Sequence, residues 1–184
     1  RKYMLKFLYY ICLFSLSLGQ LSSISKGFGL NIYLFDIGVG AFFVMGISYY
    51  LLVKKKLYFP KNTYFLTLFT GVAALSFFAN SYKHSTSNSI LAGFYLFRWV
   101  IYLGSGVLVY NMLRDGKITK EQIYKSLVLS GVFIVISGFV QLYILPDFET
   151  LDPSLGWDPH KNRLASTFFD PNFTGAYICV LLTL

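Results

Sequence analysis

The chain alternates long apolar runs with short polar breaks, and that pattern predicts helices rather than strands. Five runs are long enough to cross a bilayer: about Tyr3–Ser23, Ile32–Val53, Thr63–Ala79, Ser89–Leu113 and Ile123–Leu145. A sixth opens at about Pro171, and "NFTGAYICVLLTL" supplies only 13 of the roughly 20 residues that a span needs. None of the runs shows the ten-residue in–out alternation of a barrel strand. A segment in lipid must satisfy its own backbone, so the runs read as helices. The predicted fold is an all-α polytopic transmembrane bundle of five full spans plus the start of a sixth. It forms a single transmembrane domain over residues 1–184, read as the N-terminal portion of a longer chain.

Composition supports this reading. Of 184 residues, 55% are hydrophobic, 20% aromatic and only 13% charged, against about 25% charged in soluble domains. Mean hydropathy is +0.58. The start, "RKYMLKFLYYICLFSLSLGQLSS", has the basic-then-apolar order of a signal peptide. Because further spans follow, a retained first helix is the favoured reading. Cys12 and Cys179 both lie in apolar runs, and two such residues build neither a disulfide framework nor a metal site.

The net charge of +8 would suit nucleic acid, but the distribution of the charges excludes that partner. Arg1, Lys2, Lys6, Lys54, Lys55, Lys56, Lys61, Arg114, Lys117, Lys120 and Lys125 flank one set of span ends. Lys26, Lys83, Lys161 and Arg163 flank the other. Eleven against four is the positive-inside pattern, and it puts the N-terminus in the cytoplasm. The segment 146–170 then becomes an extracytoplasmic loop. It carries five of the eight acidic residues, and its prolines predict an irregular, fairly rigid segment. Tyr and Phe near span ends, such as Tyr49, Tyr58, Tyr82 and Tyr143, read as interfacial anchors. Gly104, Gly106, Gly131 and Gly138 read as sites of close helix packing.

Few residues interrupt the apolar pattern, and these are the candidates for chemistry. Arg98 lies nine residues from the outer end of span four, about 13 Å deep at 1.5 Å per residue. A charge there faces a cavity, a partner or a pathway, or else snorkels to the headgroups. Asp36 opens span two, where it pairs with Arg98, pairs with Lys26, or sits in interfacial water. In "NRLASTFFDPNFTGAY", Asp170 reads as a helix N-cap and Pro171 as the first helical residue. Those roles leave Arg163 and the small, hydroxyl-rich run after it unexplained. A helix start aimed into an outer cavity holds an anion, and Arg163 would reinforce it, although Asp170 opposes it. In "GWDPHKNR", His160 and Asp158 have the types of a general base and its orienter, although a lone loop histidine is more often a bystander. Trp157 suits either sugar stacking or the interface.

The stretch "NRLASTFFDPNFTGAYI" resembles the motif of the O-antigen ligase and polysaccharide polymerase family. There an Arg, a small-residue run with Thr-Phe, and a Pro-Asn lead into a membrane helix. "LFDIGVG" resembles the Asp at the start of that family's second span. "LFTGVAALSFFANS" with "LFRWVIYLGSGVLVYNML" resembles its next hairpin. The likeness covers most of the chain, and its specific part is Arg163–Asn172. Ala165 and Ser166 depart from the pattern, since relatives often have a Gly before Thr-Phe.

The resemblance implies a glycosyltransferase of the bacterial cytoplasmic (inner) membrane with ten or more helices, independent of metals and of nucleotide sugars. Its donor would be an undecaprenyl-diphosphate-linked glycan, and its acceptor a lipid or a second glycan. Substrate binding would fall to Arg163, Arg98, Asn172 and Asp36, with both arginines on the diphosphate. Catalytic residues would lie in a large outer loop beyond residue 184. The competing expectation is a transporter or flippase for an anionic lipid or lipid-linked glycan.

Overall fold

A computed structural model describes residues 2–27, 30–151 and 159–183. Trp157 and Asp158 lie outside them. The architecture is an all-α bundle with one small hairpin at its edge. Helix α1 (Lys2–Leu18) runs into a 3₁₀ turn at Gly19–Ser22. The antiparallel strands β1 (Ser23–Gly27) and β2 (Leu30–Tyr33) follow, with Lys26 opposite Asn31 and an irregularity between Ser23 and Ser25. Then come α2 (Leu34–Ser48), α3 (Thr63–Asn80), α4 (Thr86–Arg114), α5 (Lys120–Ile144) and α6 (Pro171–Leu182).

Five segments are long and apolar enough to cross a membrane: Tyr3–Ser22, Leu34–Lys54, Thr63–Lys83, Thr86–Arg114 and Lys120–Ile144. They correspond to the five expected spans, with shifted boundaries. Ile32, expected to open span two, lies in β2, and the helix starts two residues later. Span four begins at Thr86 because Ser85 caps it, its hydroxyl accepting from Asn88 N–H at 3.3 Å. Span five begins at Lys120 because Thr119 and Gln122 form a capping box. Helix α2 continues as a π-helical stretch, Tyr49–Lys54, which Lys55 ends in the left-handed region at φ 53°.

The main core joins α1, α2 and α4. Leu5, Tyr9, Cys12, Phe42, Leu108 and Met112 are buried there, with Tyr50 and Ile118 closing it at the lysine-rich end. Glycines set the helix spacing at several points. A Cβ on Gly46 would meet the Leu108 side chain, on Gly104 that of Phe43, on Gly131 that of Leu181, and on Gly138 that of Leu164. Gly106 does not share this role, because it faces open space with nothing within 4 Å.

The seam between α1, α5 and α6 is held by hydroxyls rather than bulk. Ser17 Oγ and Ser130 Oγ lie 2.6 Å apart, and Ser130 Oγ lies 2.8 Å from Tyr177 OH. Such bonds suit a lipid setting, where the hydrophobic effect does not drive helices together and close packing and interhelical hydrogen bonds do. Helix α3 docks mainly on α4, where Trp99 Nε1 donates to Thr70 Oγ1 at 2.9 Å.

The described residues between α5 and α6, 145–151 and 159–170, are largely irregular. Phe148 N–H donates to His160 O and Asn162 N–H to Pro146 O, both at 2.8 Å. Lys161 Nζ lies 3.2 Å from Asp147 Oδ2.

Candidate functional site at the lysine-poor end

Asp36 occupies the third position of α2, and its Oδ2 accepts the Tyr33 N–H at 3.0 Å, as a helix start favours. The same oxygen accepts Arg98 Nη2 at 2.8 Å, while Tyr102 OH donates to Oδ1. Arg98 Nη2 also donates to the Asn31 carbonyl of β2 at 2.7 Å. The two charged side chains are only 16% and 12% exposed. A buried charge is tolerated where it is paired and hydrogen-bonded, and here two helices and the hairpin supply the partners.

Arg98 lies twelve residues into α4, about 18 Å along it at 1.5 Å per residue, deeper than the sequence boundary implied. Its guanidinium ends on the Asp36 carboxylate and the Asn31 carbonyl of the hairpin. Its guanidinium also stands 4.9 Å from the Phe94 ring centroid and 5.4 Å from that of Tyr95. Tyr102 was not among the expected site residues. The signal that pointed to it is its spacing, one helical turn on from Arg98 on the same face.

Beside this cluster opens a cavity of about 450 Å³. Six aromatic rings wall it: Tyr33, Phe35, Tyr95, Tyr102, Phe168 and Phe173. Gln20, Arg98 and Asp170 are its polar groups. Arg98, Asp36 and Tyr102 also border a second, smaller cavity of about 240 Å³.

At the rim, Asp170 caps α6. Its Oδ1 accepts Asn172 N–H at 2.7 Å and Phe173 N–H at 3.2 Å, and Pro171 takes the first turn. Arg163 donates to Asn172 Oδ1 at 3.1 Å and is exposed. It does not line the cavity. The four expected binding residues therefore form two separate pairs, Asp36 with Arg98 and Arg163 with Asn172.

The small-residue run after Arg163 has a packing explanation. Ala165, Ser166 and Thr167 are wedged between α1 and α5 and are at most 3% exposed. Ser166 Oγ donates to Ile134 O at 2.6 Å, and Thr167 Oγ1 to Ser17 O at 2.8 Å. Ser17 O is one of the terminal carbonyls that α1 itself leaves unpaired. The Gln141 side-chain oxygen takes the N–H groups of Ala165 and Ser166, at 2.9 and 3.2 Å. Thr174 Oγ1 closes the wedge onto Ala165 O at 2.7 Å. Larger side chains would not fit between the helices, and fewer hydroxyls would leave carbonyls unpaired. Ser166 and Phe169 hold left-handed φ values of 54° and 52°, so the segment adopts a specified rather than a relaxed shape.

His160 is buried with its ring 4.4 Å from that of Phe148 and lines none of the cavity. Among the described residues no group of three His, Cys, Asp or Glu side chains is placed to hold a metal ion.

No family model, curated protein or solved structure matches the chain.

Proposed function

We propose that the protein is a multi-pass bacterial inner-membrane glycosyltransferase of the O-antigen ligase and polysaccharide polymerase type. It moves a glycan from an undecaprenyl-diphosphate carrier to a lipid or glycan acceptor. The observation that carries this reading is Arg163. Its guanidinium is exposed at the start of α6, held by the neutral Asn172, and paired with no carboxylate among the described residues. Arginine stays charged and offers planar paired donors that match phosphate oxygens. The aromatic cavity bordering the same helix start suits a sugar ring, whose C–H faces stack on aromatic side chains while its hydroxyls reach Gln20 and Asp170.

In the proposed reaction the bond between the sugar's anomeric carbon and the carrier diphosphate breaks. The diphosphate leaves with the bonding electrons, and an acceptor hydroxyl forms the new glycosidic bond as it gives up its proton. Arg163 stabilises the charge gathering on the leaving diphosphate. Arg98 has a different task. With its guanidinium hydrogen-bonded to Asp36, it positions Tyr102 and the cavity wall and does not bind the diphosphate.

The test is Arg163→Ala and Arg163→Lys in the full protein, read as glycan laddering at matched expression. Alanine is expected to reduce transfer by about 10²-fold, with lysine intermediate. Wild-type ladders in both variants exclude the role.

One observation favours a second reading. Ion pairs between helices, such as Asp36–Arg98, also mark transport pathways. Reconstituted protein that moves a fluorescent lipid-linked glycan between leaflets, with no transfer to an acceptor, would establish a flippase instead.

A further inference from the structure

At the opposite, lysine-rich end the helices leave a narrow crevice of about 220 Å³ between α2, α3 and α4. It follows α4 from Leu108 to Val100, about 12 Å at 1.5 Å per residue. Phe43 and Ile47 of α2 form one side and Thr63 and Thr67 of α3 the other. Its walls are almost wholly apolar, and it runs parallel to the helix axes. That is the shape of an extended hydrocarbon chain rather than of a compact ligand. Helix α3 has few other contacts with the bundle, so whatever fills the crevice also bridges α3 to α2.

The mouth of the crevice is basic. Leu57 and Phe59, which close its end, lie in the connection between α2 and α3, and Lys55, Lys56 and Lys61 of that connection are exposed. The connection is fixed, not loose. Asn111 of α4 accepts Tyr58 N–H at 2.9 Å and donates to Tyr58 O at 2.7 Å. Arg114 stacks on the Tyr58 ring at 3.4 Å, which brings a fourth cation to the same rim. Asp115 is the nearby carboxylate, and Lys54 engages it at 3.1 Å. Lys55, Lys56, Lys61 and Arg114 have no carboxylate partner among the described residues.

We infer that this crevice is a binding site for an anionic phospholipid. One acyl chain lies along α4 between α2 and α3, and the headgroup phosphate is held by Lys56, Lys61 and Arg114. Basic rims over gaps between membrane helices suit anionic headgroups, and the apolar groove beneath selects a lipid over a free anion. The site is independent of the glycosyltransferase reading.

The test uses purified full protein, delipidated in detergent, with native mass spectrometry and thermal unfolding as readouts. The probes are phosphatidylglycerol, phosphatidylcholine and inorganic phosphate. Phosphatidylglycerol is expected to be retained at one molecule per chain, at least fivefold more strongly than phosphatidylcholine, and to raise Tm. Inorganic phosphate is expected to do neither. The double variant Lys56→Gln with Lys61→Gln is expected to lose the preference for phosphatidylglycerol while keeping weak phosphatidylcholine retention. Thr67→Phe, which fills the groove, is expected to reduce retention of both lipids. Equal retention of the two lipids by the wild type overturns the inference, and that comparison needs no variant to fold. A Tm shift with phosphate alone overturns it too, as does an unchanged preference in the double lysine variant.

Discussion

Arg98, deep in α4, meets Asp36, at the start of α2, through a 2.8 Å hydrogen bond between opposite charges. The contact ties together two helices and a strand, because the same guanidinium nitrogen holds the Asn31 carbonyl and the same carboxylate holds Tyr33 N–H and Tyr102 OH. The pair thereby fixes the wall of the aromatic cavity while neutralising its own charge.

Breaking that pair from one side leaves a buried charge without its counter-ion. Asp36→Leu and Arg98→Met are each expected to destabilise the protein by roughly 3–5 kcal/mol. The double change Asp36→Leu with Arg98→Met is expected to lose clearly less than the sum of the singles, because neither charge remains. Denaturant unfolding in detergent measures all three. Strict additivity would show that the two side chains do not act as a unit.

Gln141 carries the wedge in a comparable way, since its one side-chain oxygen receives two backbone N–H groups. Gln141→Leu keeps the volume but orphans both donors in a buried place. Each orphan costs about 1–3 kcal/mol. The expected result is a Tm drop together with faster proteolysis in residues 159–170, while the helical circular dichroism persists. An unchanged cleavage rate would mean that the wedge is held by packing alone.

The helices were legible because a bilayer leaves an apolar run few alternatives, and Asp170–Pro171 was legible as a helix start because capping is a local matter. The hairpin Ser23–Tyr33 was not. Its strands are four and five residues long, and their pairing depends on a neighbour that no local pattern names. Asp36 had two candidate cations in the sequence, and the choice of Arg98, 62 residues away, is a product of packing. Arg163 and Arg98 were expected to share a ligand; Arg98 lines the aromatic cavity with its guanidinium on Asp36, whereas Arg163 is exposed beside Asn172 and lines none of it. Gln141 had only a weak signal, a lone amide inside an apolar span. Gly106 shows the limit of reading small residues as packing sites, since a glycine on a helix gives no hint of which face is covered.

That contrast between glycines is itself testable. Gly19 has φ +49°, and a Cβ there would stand 2.6 Å from the Thr167 carbonyl oxygen. Gly19→Ala therefore strains both the turn and the wedge, and a loss of more than about 1 kcal/mol is expected. Gly106→Ala meets nothing within 4 Å, and a gain of about 0.5–1 kcal/mol from the helix backbone is expected. The two Tm shifts should have opposite signs. A stable Gly19→Ala protein would mean that the wedge does not press on the end of α1.

The loop before the wedge should respond to acid. The Lys161 ammonium beside Asp147 holds its carboxyl below the usual carboxylate range, with the Glu149 N–H adding to the effect and partial desolvation opposing it. A carboxyl lowered in the folded state stabilises the fold above its ordinary pKa, near 4, and that contribution fades as pH falls through the lowered value. Protection of the Phe148 and Asn162 amides, which pair across the loop to His160 O and Pro146 O, is therefore expected to hold at neutral pH and to weaken below about pH 4. Hydrogen exchange, corrected for the intrinsic rate at each pH, reads this directly. In Lys161→Gln the acid-dependent loss should largely vanish, because Asp147 then titrates closer to its unfolded value. Identical profiles in wild type and variant would assign the loop's order to the Phe148–His160 packing rather than to the ion pair.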